Sequence, residues 1–187
     1  MMRLSKLIMG SAIIVVAGMN GALATNLIVD GGSESPIVAG GTFETFNTGI
    51  NIRAWLVIGP GCGNVTIVST TYTNNGITFD AQAGNQYLDL TGTTDNGCPT
   101  GIQQTVATTA GHTYQLTFWV GNANDPGGVW SGARVNVYVN GVQVTSVINT
   151  GGASTPAKQV WEEFTVRFKA PTARTTIAFI NTERVAD

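Results

Sequence analysis

Thr113-Tyr114-Gln115-Leu116-Thr117-Phe118-Trp119-Val120 decides the fold class. Successive side chains of a β-strand point to opposite faces, so Tyr114, Leu116, Phe118 and Val120 share one side of this stretch. Gln115, Thr117 and Trp119 share the other. Arg134 to Asn140 repeats the pattern, with Val135, Val137 and Val139 opposite Arg134, Asn136 and Tyr138. Asn140-Gly141 then marks a hairpin turn leading into Val142 to Ile148. Trp161 to Ala170 places Phe164, Val166 and Phe168 inward against Glu163, Thr165, Arg167 and Lys169. Thr175 to Ile180 reads as a further strand. Trp55 to Ile58, Val65 to Ser69, Gln86 to Leu90 and Ile102 to Thr108 are earlier ones. No segment carries a convincing helical period. The sum is eight or nine short strands separated by Gly, Asn, Asp and Pro, which predicts an antiparallel two-sheet jelly-roll sandwich.

The amino end is of a different kind. Met1 to Lys6 carries Arg3 and Lys6, Leu7 to Met19 is an apolar run broken only by Gly and Ser, and Ala22-Leu23-Ala24 is a small-x-small site. This pattern predicts a signal peptide over residues 1–24 and a single domain over residues 25–187, secreted to an extracellular or periplasmic location. The apolar run is shorter than the ~20 residues a membrane span needs. All four methionines lie in this leader.

Without Arg3 and Lys6 the nine basic residues fall to seven against eleven acidic ones, a net charge of −4. That argues against a nucleic-acid partner or an anionic membrane surface, which both need clustered Lys and Arg. Only 11% of residues are charged, so the surface is built mostly from Thr, Ser, Asn and Gln. Cys62 and Cys98 are the only cysteines. In an oxidising compartment they predict one disulfide. The alternative, a pair of metal-binding or redox thiols, lacks both CxxC spacing and a nearby His.

Asn26-Leu27-Ile28-Val29-Asp30-Gly31-Gly32-Ser33-Glu34-Ser35-Pro36 resembles an "NLxxNGxFExP" opening, and Trp55-Leu56-Val57 resembles "GWxV". Leu88-Asp89-Leu90-Thr91-Gly92 resembles "xDLxG". Gly101 to Val106 and Gly111 to Phe118 resemble "GxIxQTV" and "GxTYxLxF". Together these resemble a secreted galactose-binding-like, carbohydrate-binding-module-like family of unknown function, with plant cell-wall and bacterial exported members. The resemblance implies a jelly roll and a non-catalytic sugar-binding role. Two departures stand out. Ser33 replaces an aromatic, and the final strand with its "LDDV" motif is missing. Either the sequence is truncated, or the last strand is absent and an edge lies open.

A sugar platform needs aromatic rings flanked by hydroxyl-binding side chains. If their strands are neighbours, Trp119, Arg134, Asn136 and Tyr138 supply one. The loop Gly121 to Gly132 adds Asn122, Asn124, Asp125 and Trp130. The plainer reading of Trp119 and Tyr138 is cover for the sandwich flank. Trp55 and Trp161 read as packing residues. The resemblance implies that Glu34, with Asp30 and a carboxy-terminal Asp, holds a structural calcium, against the plainer reading of a turn-stabilising carboxylate. Beyond that ion no cofactor is expected.

Asp89, polar between Leu88 and Leu90, reads as a satisfied strand residue. His112 is the only histidine and reads as exposed, which leaves no Ser–His–Asp triad and no multi-histidine zinc site. Glu162 and Glu163 are adjacent on a strand and face opposite ways, so they cannot pair for glycoside hydrolysis. Asn64-Val65-Thr66 fits a glycosylation acceptor. The expectation is therefore a secreted, non-enzymatic domain that binds a polysaccharide or other glycan. A structural, self-associating surface or matrix protein is the alternative.

Overall fold

The computed structural model describes residues 8–9, 13–16, 25–74, 76–93, 98–123, 132–151 and 159–182, the first two segments by backbone alone. The described residues contain fifteen strands and no helix. In chain order they are β1 (Ile8–Met9), β2 (Ile13–Val16), β3 (Phe43–Asn47), β4 (Asn51–Ile52) and β5 (Trp55–Ile58). Next come β6 (Asn64–Ser69), β7 (Tyr72–Asn74), β8 (Ile77–Phe79), β9 (Gln86–Asp89) and β10 (Gly101–Ala107). The last are β11 (Thr113–Asn122), β12 (Ala133–Val139), β13 (Val142–Asn149), β14 (Val160–Lys169) and β15 (Arg174–Asn181).

The first sheet has the order β14-β11-β1-β9-β6-β3, with β2 also paired to β11. The second has the order β13-β12-β15-β10-β5-β4. A separate two-stranded sheet joins β7 to β8, and every pairing is antiparallel.

Alternation explains how the two main sheets meet. Tyr114, Leu116, Phe118 and Val120 of β11 join one buried cluster with Val135, Val137 and Val139 of β12 and Ile177 and Phe179 of β15. Phe118 stands at its centre, with its ring centroid 6.0 Å from Phe164 and 5.1 Å from Phe179. It thereby links the two sheets, since β14 belongs to the first and β15 to the second. Trp55 lies in the same core, as expected.

The Asn140-Gly141 turn forms as its sequence predicts. Both residues take positive φ, 49° and 79°, and Val139 pairs with Val142. The nine strands expected from the sequence all form. The structure adds β3, β4, β7, β8 and, near the amino end, β1 and β2. These two pair through Ile8↔Asp89 and Ile8↔Gly121, and through Ile13↔Thr117 to Val16↔Tyr114.

The segment before β3 crosses from one sheet to the other. Gln104 of β10 exchanges two hydrogen bonds with Val29, accepting from its N–H at 2.8 Å and donating to its carbonyl at 2.9 Å. On the other side, Gln86 of β9 donates to the carbonyls of Ser33 and Pro36 and accepts from the Val38 N–H. Cys62 and Cys98 form the expected disulfide, with Cα atoms 6.1 Å apart. It ties the β5–β6 loop to the approach of β10.

Candidate functional site

The outer face of the first sheet carries a second apolar cluster, separate from the core. Phe43 of β3 pairs with Val68 of β6, and Val68 pairs with Tyr87 of β9. Their side chains form a row on the outside because Val65, Ile67, Leu88 and Leu90 already point inward to the core. The hairpin β7–β8 lies over this row. Val68, Ile77, Phe79, Tyr87 and Ala123 are buried together, with Phe43, Tyr72, Ala81 and Trp161 packed against them. Phe43 meets Tyr72 edge-on at 5.5 Å, and Tyr87 meets Trp161 edge-on at 6.0 Å. Trp161 Nε1 donates to the Asp80 carbonyl at 3.0 Å, which pins the chain just after β8 to β14.

A polar row runs beside the aromatic one. Thr45, Thr66 and Asp89 are consecutive partners across β3, β6 and β9. Asp89 is 1% exposed, and its Oδ1 accepts from the Thr91 N–H at 2.9 Å and the Thr91 hydroxyl at 2.6 Å. This matches the expectation of a satisfied strand residue. It also holds the carboxylate in one orientation beside Tyr87, two residues back on the same face.

Burial pushes the Tyr87 phenol well above its usual value, and the negative charges of Asp89 and Asp80 and the nearby Tyr72 add to the effect. Burial raises Tyr72 as well. Tyr87 is therefore a phenol that keeps its proton, next to a fixed carboxylate, in an aromatic cradle. The rings of this set pack on one another, and Tyr87 and Asp89 are each 1% exposed, so the pair is closed off from solvent.

The raised phenols carry a consequence for stability. In the unfolded chain these groups lose their protons near pH 10, while the folded chain retains them. The stability they contribute is full below about pH 10 and is lost as pH rises toward the folded value. We expect the part of the urea midpoint that depends on these phenols to hold up to about pH 10 and fall above it, and Tyr87→Phe to reduce that fall. An identical pH dependence in Tyr87→Phe would contradict the burial of a protonated phenol there.

The other residues singled out from sequence do not converge. Trp119 is on the outer face of the first sheet, opposite Glu163 on β14. Arg134, Asn136 and Tyr138 are on the outer face of the second sheet, because β12 pairs with β13 and β15. The two groups lie on opposite sides of the molecule and form no shared platform. Asn136 and Tyr138 both donate to Gln143 Oε1 at 3.2 Å.

Asn122 is fully buried, and its Nδ2 donates to the Gly151 carbonyl at 2.6 Å. With Asn149, which donates to the carbonyls of Val120 and Val160, it joins β11 and β14 to the end of β13. Asn124, Asp125 and Trp130 lie outside the described residues. Asn64 is buried, with its side chain bonded to Thr93, so the folded chain does not offer it for glycosylation. His112 is exposed, as expected.

Asp30 and Glu34 shape the crossing segment. Asp30 Oδ1 accepts from the Glu34 N–H at 2.8 Å, and the Asp30 carbonyl accepts from Trp55 Nε1 at 3.0 Å. Glu34 Oε1 accepts from the Asn85 and Gln86 N–H groups. Gly84, at φ 74°, leaves room for this carboxylate, into which a Cβ would run. Burial raises the Asp30 carboxyl above its usual value, opposed by the Glu34 N–H, the charge of Arg53 and the Ser35 N–H. Among the described residues no group of three or more His, Cys, Asp or Glu is placed to hold a metal ion.

Among the described residues, two antiparallel sheets share one core, one disulfide ties their loops, and a hairpin covers an aromatic cluster with a buried phenol on the first sheet. Residues 24–183 match the family model HpiC1-like, described as HpiC1 cyclase, and the chain belongs to that family. No curated protein matches the chain.

This match overturns three expectations: the kinship with a carbohydrate-binding-module-like family, the sugar-binding role and the absence of catalysis. The misleading motifs are strand and turn grammar. An "NLxxxG" opening or a "GxTYxLxF" strand records how a sandwich is built and leaves its chemistry undetermined.

Proposed function

We propose that this chain is a cyclase-type enzyme that closes a ring within a largely apolar precursor. The observation that carries this reading is the family match over residues 24–183. The cradle under β7–β8 supports it. Ring closure requires that the two ends of a flexible molecule be held together, and much of the barrier is the entropy of that approach. Phe43, Tyr72, Phe79, Tyr87 and Trp161 pack on one another there, so a precursor enters between them only with the β7–β8 hairpin displaced. The Tyr87 phenol donates to the reacting molecule, and the Asp89 carboxylate accepts the proton released. The roof is a sheet of its own, so displacing it breaks the Trp161–Asp80 bond but no ladder of the first sheet.

Substitution tests the placement. With the substrate of the HpiC1 cyclase as probe, Asp89→Asn and Tyr87→Phe should each lower turnover by about 100-fold or more. Tyr138→Phe, on the opposite face, should leave it unchanged. Equal turnover in wild type and Asp89→Asn would remove the cradle from the reaction.

We also read the two facing sheets as a jelly roll and the protein as exported, a reading that the disulfide supports. Asp30 and Glu34 are the residues that would hold a structural calcium.

A further inference from the structure

The chain that carries β7 and β8 leaves the first sheet and returns to it at one point. Thr70 and Asn85 close that point, the Thr70 N–H donating to the Asn85 carbonyl at 2.7 Å. Both chain ends are fastened below it. Ser69 Oγ accepts from the Thr42 N–H and donates to the Thr42 carbonyl, each at 3.0 Å. Asn85 and Gln86 donate their N–H groups to Glu34 Oε1, and the Gln86 side chain donates to the Ser33 and Pro36 carbonyls.

Above that point the hairpin has two unlike faces. Ile77 and Phe79 are buried with Val68 and Tyr87. Thr73 and Thr78 are exposed, with their hydroxyls 3.3 Å apart. The apolar face and the bond from Trp161 Nε1 to the Asp80 carbonyl hold the hairpin down. Thr71, at its start, has φ 71°, in the left-handed region that a β-branched side chain avoids. Thr71 is exposed, so packing of its side chain does not account for that conformation. Such strain gathers in switch segments, where the surroundings impose it. At the other end Gly84 has φ 74°, and a Cβ there would run into the Glu34 carboxylate.

We propose that the β7–β8 hairpin is a lid over Val68 and Tyr87, swinging on Thr71 and Gly84, with Glu34 as the bracket of the second hinge and the Trp161–Asp80 bond as its latch. The closed lid carries the strain of Thr71, and opening releases it. The two hinges therefore respond in opposite senses. Relieving Thr71 favours the closed lid, and crowding Gly84 favours the open one. What passes beneath the lid rests on the ring-forming reading. The motion does not, and its first test needs no substrate.

That test is exchange of the indole N–H protons with solvent, followed by NMR on the full chain. Trp161 Nε1–H is released when the latch opens. Trp55 Nε1–H, bonded to the Asp30 carbonyl on a side chain 3% exposed, is the reference in the core. Trp161 should exchange at least about tenfold faster than Trp55. Thr71→Asn, which adopts positive φ more readily, should slow Trp161 by about fivefold. Gly84→Ala should speed it by about tenfold. Neither should move Trp55. If Gly84→Ala does not fold, Glu34→Gln, which keeps the volume and weakens the bracket, should speed Trp161 by about threefold. Equal exchange of the two indoles in the wild type would overturn the lid, and so would a Trp161 rate indifferent to Thr71→Asn. Turnover of the HpiC1 cyclase's substrate then separates the two readings. Where the wild type is active, kcat/KM should fall in Thr71→Asn by the same factor as the exchange rate, since entry needs the open lid. Exchange that responds to the hinges in a wild type without turnover supports the lid and overturns only the ring-forming reading. Turnover with exchange that ignores the hinges overturns the lid alone.

Discussion

Phe118→Ala lowers the unfolding free energy by about 3–5 kcal/mol, the range for emptying a fully buried aromatic site. Phe118 is 0% exposed, and its ring touches Phe164 from the first sheet and Phe179 from the second. Truncation removes the transfer energy of the ring and leaves a cavity between two sheets that their own ladders hold apart. A loss of that size shifts the thermal midpoint of a domain this large by about 10 °C. Val142, 67% exposed on the edge strand β13, is the matched control. Val142→Ala should stay within about 0.5 kcal/mol. Urea denaturation of both variants checks the pair. A Phe118→Ala loss below about 1 kcal/mol would mean that the two sheets do not share one packed core.

Removing the disulfide has the second large effect. Cys62 and Cys98 are separated by 36 residues, and constraining a loop of that length in the unfolded chain contributes about 3–4 kcal/mol. The expected result for Cys62→Ser with Cys98→Ser is a loss of that order with the strand ladders intact, read by urea denaturation together with the β-sheet circular dichroism signal. Equal midpoints for the oxidised wild type and the double variant would contradict it.

The strands legible in the sequence are those in which one face is core and the other solvent. β11, β12 and β14 have this character, and each is placed within a residue or two of its expected bounds. Strands missed in the sequence lack the signal for a physical reason. Phe43 and Phe46 of β3 are spaced by three, which obscures a period of two, and β4, β7 and β8 are two or three residues long. Strand order was not legible either. β11 and β12 follow each other in the chain but sit in different sheets, so Trp119 and Tyr138 end on opposite faces.

The cradle left a trace that alternation alone does not register. All six residues of β6 and all four of β9 are buried; the hairpin covers Val68 and Tyr87 on the outer face, and the Gly92–Thr93 turn covers Asn64. Val65 to Val68 reads as a run with little alternation, and such a run signals a strand covered on both sides. Tyr87 was hidden for the same reason: on an outer face it looks like flank cover until the roof is known. The family itself was not legible from the short motifs, which describe turns and core positions that many sandwiches need.

The measurement that most directly tests the central claim is single-turnover conversion of the HpiC1 cyclase's substrate by the folded chain from Thr25 to Asp187, with enzyme in excess over substrate. A ring-closed product forming faster than in a protein-free blank is the predicted result. Substrate recovered unchanged, from protein shown by its disulfide and β-sheet signal to be folded, would contradict the assignment of ring-forming chemistry to this chain.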